Sequence, residues 1–213
     1  MSSITVIGGT GYAGSRIVAE AAGRGHAVKS ISRTAPAEPL EGVDYRQGSI
    51  DDPALVAEAV EGADVVVAAL SPRGEMSGRV LPCYRTIAGA AANAGARLIV
   101  MGGFSALRPA PGAPRFAEGD VPEQFRAEAL EMVDVLDWLN QHAPEGLDWT
   151  FVSPAGDFGA YSPGERKGRY RIGGEVALFD AAGVSALSGE DLAIALVDEI
   201  ERHRHRGHIG VAY

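Results

Sequence analysis

Short apolar runs alternate with amphipathic segments along the whole chain of 213 residues. The runs are rich in valine, isoleucine and leucine with little polar alternation, which is typical of strands buried on both faces of a parallel sheet. The segments between them repeat apolar residues at every third or fourth position, the period of an amphipathic helix. We therefore predict strands at 4–7, 27–32, 43–47, 64–70, 97–101 and 148–152, and helices at 12–23, 53–60, 78–93, 122–142 and 192–201.

Six strands that alternate with helices predict the α/β class, with a Rossmann-type, doubly wound, mainly parallel sheet. Residues 208–213 are a candidate for one further short strand. Two segments leave the pattern, 104–122 and 154–176, and both follow strands on the side from which a substrate would approach. We expect one domain over residues 1–213 with a small C-terminal substrate lobe.

The first predicted strand runs directly into a turn in which Gly8, Gly11 and Gly14 stand three residues apart. In a dinucleotide-binding turn the first glycine allows the turn, the second lets backbone approach a pyrophosphate, and the third lets helix pack on strand. The pyrophosphate lies at the helix N-terminus, where free N–H groups favour an anion. Three glycines are a weak signal in a chain with 28, and an ordinary glycine-rich turn is the alternative. The flanking strand, helix and second strand favour dinucleotide binding.

The residues after the second strand bear on the choice of cofactor. NAD-selective sites usually place a carboxylate there to bind the ribose 2′-hydroxyl. This chain has Ser32, Arg33 and Thr34 instead, and the next carboxylate is Glu38. Because Arg33 can pair with a 2′-phosphate, we predict NADP(H) in preference to NAD(H). The alternative is that Arg33 lies in a solvated loop and binds no ligand.

Composition argues against several functional classes. The net charge of −9 and the isoelectric point near 5.0 disfavour binding to nucleic acid or to an anionic membrane surface. The apolar runs are too short to span a bilayer. Residues 1–7 lack a basic leader, which argues against a signal peptide, so we expect a cytoplasmic protein that is a monomer or a homodimer.

Cysteine and histidine usage argues against disulfides and metal sites. Cys83 is the only cysteine, and its apolar helical context favours a packed side chain over a reactive thiol. His203, His205 and His208 do not share one helical face, and they alternate with arginines that would repel a cation. We therefore expect a solvated helix end in this region and no metal site.

Several short motifs together carry a resemblance to a known family. They are the glycine turn from Gly8 to Gly14, the Ser-Arg pair at Ser32, Gly-Gly-Phe-Ser from Gly102, Ser-Pro-Ala from Ser153, Pro-Gly-Glu-Arg-Lys-Gly from Pro163 and Ser-x-Glu-Asp-Leu from Ser188. The chain resembles the atypical short-chain dehydrogenase/reductases along essentially its whole length. Within them it is most similar to the NAD(P)H-binding, NmrA-like group of candidate NADH-flavin reductases, which are relatives of biliverdin-IXβ/flavin reductase.

The chain also departs from patterns known in these relatives. The common short-chain dehydrogenases use Tyr-x-x-x-Lys, in which the lysine lowers the tyrosine pKa. Here Tyr84 is followed four places on by Ala88, and Tyr161 by Glu165. Biliverdin-IXβ reductase has a histidine in the loop after its sixth strand, where the nearest match here is Ala155. These departures argue against alcohol or ketone chemistry by the common mechanism.

The motifs and the resemblance together imply a set of site residues. The expected cofactor-binding residues are Gly8, Thr10, Gly11, Tyr12, Ala13, Ser32, Arg33, Ser49, Ile50, Ala69, Leu70, Gly102, Gly103, Ser153, Pro154 and Ala155. Ser105 and Tyr161 are the candidate catalytic residues, and Phe104 and Phe158 are expected to line the substrate pocket. Ser105 matches the family's serine after strand five, although a hydroxyl that bonds its own loop is an equal alternative.

The leading functional prediction is a reductase that delivers hydride from NADPH to a flavin, a quinone or another planar acceptor, with flavin as a substrate. Such a transfer needs little proton relay from the protein, because the cofactor carries the chemistry. The alternative is a non-catalytic, NmrA-like sensor that binds NADP(H) and a protein partner. Epimerase or dehydratase activity on a nucleotide sugar fits poorly with the small C-terminal lobe and the missing tyrosine–lysine pair.

Overall fold

An eight-stranded sheet forms the centre of the computed structural model, which describes residues 1–213. Its strands are β1 (Ser3–Ile7), β2 (Ala27–Ser32), β3 (Val43–Gln47), β4 (Val65–Ala68), β5 (Arg97–Met101), β6 (Trp149–Pro154), β7 (Arg171–Gly173) and β8 (Gly207–Ala212). Their order across the sheet is β3-β2-β1-β4-β5-β6-β8-β7. All neighbours pair in parallel except β7, which runs antiparallel to β8. The predicted Rossmann-type, mainly parallel α/β fold is confirmed.

Five α-helices connect the strands: α1 (Tyr12–Gly23), α2 (Pro53–Val60), α3 (Val80–Ala94), α4 (Glu123–His142) and α5 (Gly189–Arg202). The side chain of Asp52 caps α2, and the side chain of Ser188 caps α5. The cap of α3 comes from another helix, since Glu131 in α4 accepts hydrogen bonds from the Gly78 and Val80 amides at 2.9 and 2.6 Å. No α-helix combines the length and the apolar composition that a membrane crossing requires.

The sheet separates two apolar layers. Helices α2, α3 and α4 pack on one face, and α1 and α5 pack on the other. Successive residues of a strand point to opposite faces, so Val66 lies in the first layer while Val65 and Val67 lie in the second. Cys83 is buried in the first layer, as its apolar context predicted.

Three predictions from the sequence pattern were inaccurate. The sheet has eight strands rather than six: β8 occupies the candidate region at 208–213, and the three-residue edge strand β7 was missed. The fourth strand ends at Ala68, earlier than residue 70. The apolar spacing of 122–142 also predicts Phe125 at a core position, but Phe125 lies in the first turn of α4 and is 46% exposed.

A buried ion pair closes the end of the sheet at which β5 and β6 begin. The Arg97 guanidinium donates to Glu199 Oε1 at 2.7 Å, to Thr150 Oγ1 at 2.8 Å and to the His205 carbonyl at 2.7 Å. Burial alone would raise the pKa of Glu199, but hydrogen bonds from His205 and Arg97 outweigh it and hold that pKa below its ordinary value. His205 is therefore part of a buried network, so the expectation that it lies on a solvated helix end was wrong.

We expect Arg97→Met to lower the free energy of unfolding by about 3 kcal/mol, because it leaves the Glu199 carboxylate buried without its guanidinium. Urea denaturation near neutral pH measures the change. Arg204→Met is the control, because Arg204 is exposed and the substitution should cost no more than about 0.5 kcal/mol. Equal costs in the two variants would show that the buried ion pair does not stabilise the fold.

Candidate functional site

The turn between β1 and α1 is built from glycines that have no room for side chains. Gly8 has a φ of +84°, and a Cβ at this position would collide with the backbone of Ala69 after β4. A Cβ at Gly14 would collide with the Gly8 carbonyl, so this glycine lets α1 pack directly on the turn. Sequence reasoning missed Gly9, where a side chain would overlap that of Ser30 in β2. The close contacts place α1 between the ends of β2 and β4.

The N-terminus of α1 presents free backbone donors. Its N-cap residue, Gly11, offers no side-chain hydrogen bond, and the first helical turn contains no acidic residue. A Cβ at Gly11 would meet only the Gly8 carbonyl, at 3.2 Å, so the turn is open on its other side. The Thr10 amide donates to Ser32 Oγ at 3.0 Å and ties the turn to the end of β2. Such a helix start suits an anion such as a pyrophosphate.

The loop after β2 lies on one side of this turn. Thr10 Oγ1 and Thr34 Oγ1 are 3.4 Å apart, and Gln47 donates to the Arg33 carbonyl at 2.9 Å, so the backbone of this loop is fixed. The Arg33 side chain is half exposed and forms an ion pair of 2.7 Å with Glu75. The Glu75 carboxylate follows β4 in the chain, so the residues after β2 give no sign of it.

The two adenine-side candidates follow β3. Ser49 Oγ lies 3.1 Å from Asp51 Oδ2, and Ile50 is buried beneath the loop. The side chain of Ser49 is thus engaged within its own turn, while Ile50 packs in the apolar layer of α2, α3 and α4.

Tyr84 of α3 joins the ends of β4 and β5. Its hydroxyl lies 3.3 Å from the Ala68 and Met101 carbonyls, and it accepts a longer hydrogen bond from the Leu70 amide. Burial raises the pKa of this phenol far above its ordinary value. Tyr84 therefore stays protonated and holds the loop of Ala69 and Leu70, and it cannot act as the proton relay of the common dehydrogenases.

The loop after β5 is held against β6. The Gly102 amide donates to the Val152 carbonyl at 2.8 Å, and a side chain at Gly102 would collide with the ring of Phe151. Ser153 Oγ donates to the Gly103 carbonyl at 2.9 Å and is fully buried. We therefore expect Ser153 to act by positioning Gly103 rather than by touching a cofactor.

His208 completes this arrangement and was missed as a site residue. It lies in β8 beside β6, partly buried, with Nε2 at 2.9 Å from Ser153 Oγ. The pKa of His208 is lowered to about 4, mainly by burial; the guanidinium groups of Arg115 and Arg108 also lower it, and together they outweigh the opposing effect of Glu175. The neutral ring must donate its Nε2–H to Ser153, because the Ser153 hydroxyl proton is given to Gly103. The expectation of a solvated helix end was therefore wrong for His208 as well.

Phe116, Phe179 and Gly156 lie near the ring of Phe104. Phe116 stacks on it with 4.7 Å between centroids and 25° between planes. A Cβ at Gly156 would lie 3.6 Å from each of three carbons of the Phe104 ring, and equal distances place that point over the ring centre. Phe179 approaches edge-on at 6.4 Å. Phe104 is thus partly exposed with one face stacked on Phe116, and its place in the substrate pocket stays a prediction.

The remaining substrate-side candidates follow β5 and β6. Ser105 is partly buried in the short 3₁₀ turn 104–106, beside Gly103. Phe158 packs edge-on against the ring of Tyr12, with 5.3 Å between centroids. Tyr161 is 71% exposed, and its hydroxyl donates to the Gly156 carbonyl at 3.2 Å.

Asp191 fixes the segment that carries these aromatic residues. The amides of Lys167 and Gly168 both donate to its carboxylate at 2.7 Å. Tyr12 donates from its hydroxyl to the Pro163 carbonyl at 3.2 Å. Burial alone would raise the pKa of Asp191, but the hydrogen bonds it accepts outweigh burial and lower it. The segment 158–168 is thus held between the start of α1 and the start of α5.

These elements define a Rossmann-type dinucleotide-binding protein, with an open helix N-terminus at the carboxyl ends of the parallel strands. The chain belongs to the NAD(P)H-binding family, whose model matches residues 8–203, as an NmrA-like atypical short-chain dehydrogenase/reductase. Family membership supports a nicotinamide cofactor and a reductase-type role.

Three solved structures are similar to this chain over its full length. A candidate exported protein from Burkholderia pseudomallei is 38% identical, with a TM-score of 0.87 and 100% of both chains covered. A candidate epimerase from Bacteroides thetaiotaomicron is 31% identical, with a TM-score of 0.87 and 97% of its chain covered. A candidate NADH-flavin reductase from Streptococcus pneumoniae is 31% identical, with a TM-score of 0.84 and 99% of its chain covered.

The pKa of His208 predicts a pH dependence of stability. In the unfolded chain the His208 imidazole is protonated once the pH falls below its ordinary pKa of 6.5. In the folded protein its pKa is about 4, so it stays neutral until the pH reaches that value. The free energy of unfolding should therefore fall as the pH decreases through this window, by roughly 3 kcal/mol in total. Urea denaturation at a series of pH values measures this slope. His208→Gln should flatten it, and an unchanged slope in that variant would contradict the assignment.

Proposed function

We propose that the protein is an NADPH-dependent reductase that transfers hydride to a flavin, a quinone or another planar acceptor. The observation that carries this proposal is the uncapped N-terminus of α1 at the same edge of the parallel sheet as the loop of Gly102 to Ser105, which follows β5. A bound NADPH supplies the hydride. We treat residues 1–213 as one domain, with 104–122 and 154–176 as its substrate-side segments.

The residues of the site divide by the part of the cofactor that each would hold. The amides at the start of α1 suit the pyrophosphate, and Arg33 suits a 2′-phosphate. Ile50 would border the adenine. The chain near Gly102, Gly103, Pro154 and Ala155 follows strands in the middle of the sheet and suits the nicotinamide end.

The chemistry is limited by what the site lacks. No tyrosine stands four residues before a lysine, and the phenol of Tyr84 is buried and stays protonated. Acceptors that need a strong protein acid are therefore disfavoured. Hydride transfer to a flavin or quinone depends mainly on alignment and exclusion of water, which Ser105, Phe158 and Tyr161 can provide.

One observation favours the alternative of a non-catalytic NADP(H) sensor. Phe116 stacks on the Phe104 ring, so fewer aromatic surfaces than the sequence suggested remain as walls for an acceptor. A sensor needs no such walls. It would bind NADPH, reduce no acceptor and bind a protein partner in a cofactor-dependent way.

Steady-state oxidation of NADPH with a panel of flavins, quinones and tetrapyrroles tests the reductase. We expect turnover with at least one planar acceptor and a decrease of about tenfold or less for Ser105→Ala, if its hydroxyl makes one orienting hydrogen bond. Ser77→Ala is the control, because Ser77 is exposed before α3. No reduction of any acceptor, together with a partner captured only in the presence of NADPH, would favour the sensor.

We expect Gly11→Val to abolish NADPH binding while the protein still folds. The φ of −73° and ψ of 173° at Gly11 are accessible to valine, but its side chain would occupy the volume in which backbone approaches the pyrophosphate. Calorimetry measures binding, and thermal melting checks the fold. Gly89→Val is the matched control, since a side chain at Gly89 meets open space. Unchanged affinity in Gly11→Val would place the phosphate site elsewhere.

A further inference from the structure

Residues 71–79, between β4 and α3, form a segment that is tied to its surroundings by three ion pairs; we call it the bridging segment. Glu75 pairs with Arg33 at 2.7 Å, Arg79 pairs with Asp51 at 2.7 Å, and Arg73 pairs with Glu128 at 2.6 Å. The first two ion pairs join the bridging segment to the loops after β2 and β3, and the third joins it to α4. Charged side chains of the bridging segment therefore meet partners on both sides of it.

The topology of the sheet shows what the Glu75–Arg33 pair crosses. Arg33 follows β2 and Glu75 follows β4, and β1 lies between these two strands. The glycine turn and the N-terminus of α1 begin where β1 ends. The ion pair therefore bridges the strands on either side of β1, at the edge of the sheet where the adenosine half of a dinucleotide would lie.

We propose that Glu75 determines the choice between NADP(H) and NAD(H). It competes with the ribose 2′-phosphate for the Arg33 guanidinium, and it supplies the carboxylate for a 2′-hydroxyl that the loop after β2 lacks. This inference rests on the proposed nicotinamide cofactor, and it does not depend on which acceptor is reduced.

Exposure makes such an exchange of partners feasible. The side chains of Arg33 and Glu75 are 52% and 84% exposed, so the ion pair contributes little to stability and is easily broken. The backbone of Arg33 stays in place, because Gln47 holds its carbonyl. Only the two side chains need to move when a phosphate replaces the carboxylate. A phosphate and a carboxylate on one guanidinium would repel each other, so the 2′-phosphate displaces Glu75.

Two adenosine phosphates isolate this contribution without a nicotinamide ring or an acceptor. Adenosine 2′,5′-bisphosphate and 5′-AMP differ only in the 2′-phosphate, and calorimetry measures both affinities on the full chain. We expect Glu75→Gln to tighten binding of the bisphosphate about fivefold, the scale of an exposed ion pair, and to weaken 5′-AMP slightly. Arg33→Ala should weaken the bisphosphate, and Glu75→Gln should give no further gain in that background.

Glu128→Gln is the matched control. It removes one negative charge from the Arg73–Glu128 ion pair of the same bridging segment and leaves Arg33 untouched. It should leave the ratio of the two affinities at the wild-type value. The inference is overturned if Glu75→Gln leaves that ratio unchanged, if its gain persists with Arg33→Ala, or if Glu128→Gln gives the same gain.

Failure of the proposed function gives different results. NADPH binding without reduction of any acceptor would overturn the reductase, while the affinity ratio would still decide the role of Glu75. If neither adenosine phosphate nor NADPH bound any variant, the cofactor site and this inference would fall together.

Discussion

The contact between α1 and the glycine turn is the constraint on which the site depends. Backbone meets backbone at Gly8 and Gly14, and no side chain separates the helix from the ends of the strands. Protein interiors are packed too closely to absorb an added carbon at such points without movement of the surrounding backbone. The helix start, with its unpaired amides, is therefore held at one place above the sheet, between the loops that carry Arg33 and Ala69.

Buried polar groups then fix the loops around that point. Asp191 holds the segment after β6, Tyr84 holds the loop after β4, and the chain of His208, Ser153 and Gly103 holds the loop after β5. In each case a strand or helix supplies the anchoring side chain and a loop supplies backbone groups. These polar anchors hold the loops by their backbone groups, and binding residues are commonly carried on loops that a rigid scaffold positions in this way.

Local sequence signals predicted most of the fold. The helix from Tyr12 and the strand from Ala27 were placed correctly, because glycines and apolar spacing mark their ends directly. The cap at Ser188 is also a local feature, since its hydroxyl accepts a hydrogen bond from the Asp191 amide only three places away. The strand β7 could not be found in this way: it has three residues, lies at the edge and carries no apolar run.

The missed site features depend on residues far apart in the chain. Glu75 meets Arg33 only because their two strands flank β1, and His208 meets Ser153 only because β8 pairs with β6 in one register. Nothing near either residue signals its partner. Predictions for Ser105, Tyr161 and the cofactor contacts came from motifs and resemblance, and they remain predictions.

The close approach of Gly9 to Ser30 has an evolutionary consequence. The two positions share one small volume between the turn and β2, and the buried Ser30 hydroxyl already occupies it without a hydrogen-bond partner. An alanine at position 9 is therefore compatible only with a residue at position 30 that is smaller than serine. The two positions should drift as a linked pair, with a side chain at position 9 only where position 30 carries none larger than a methyl group.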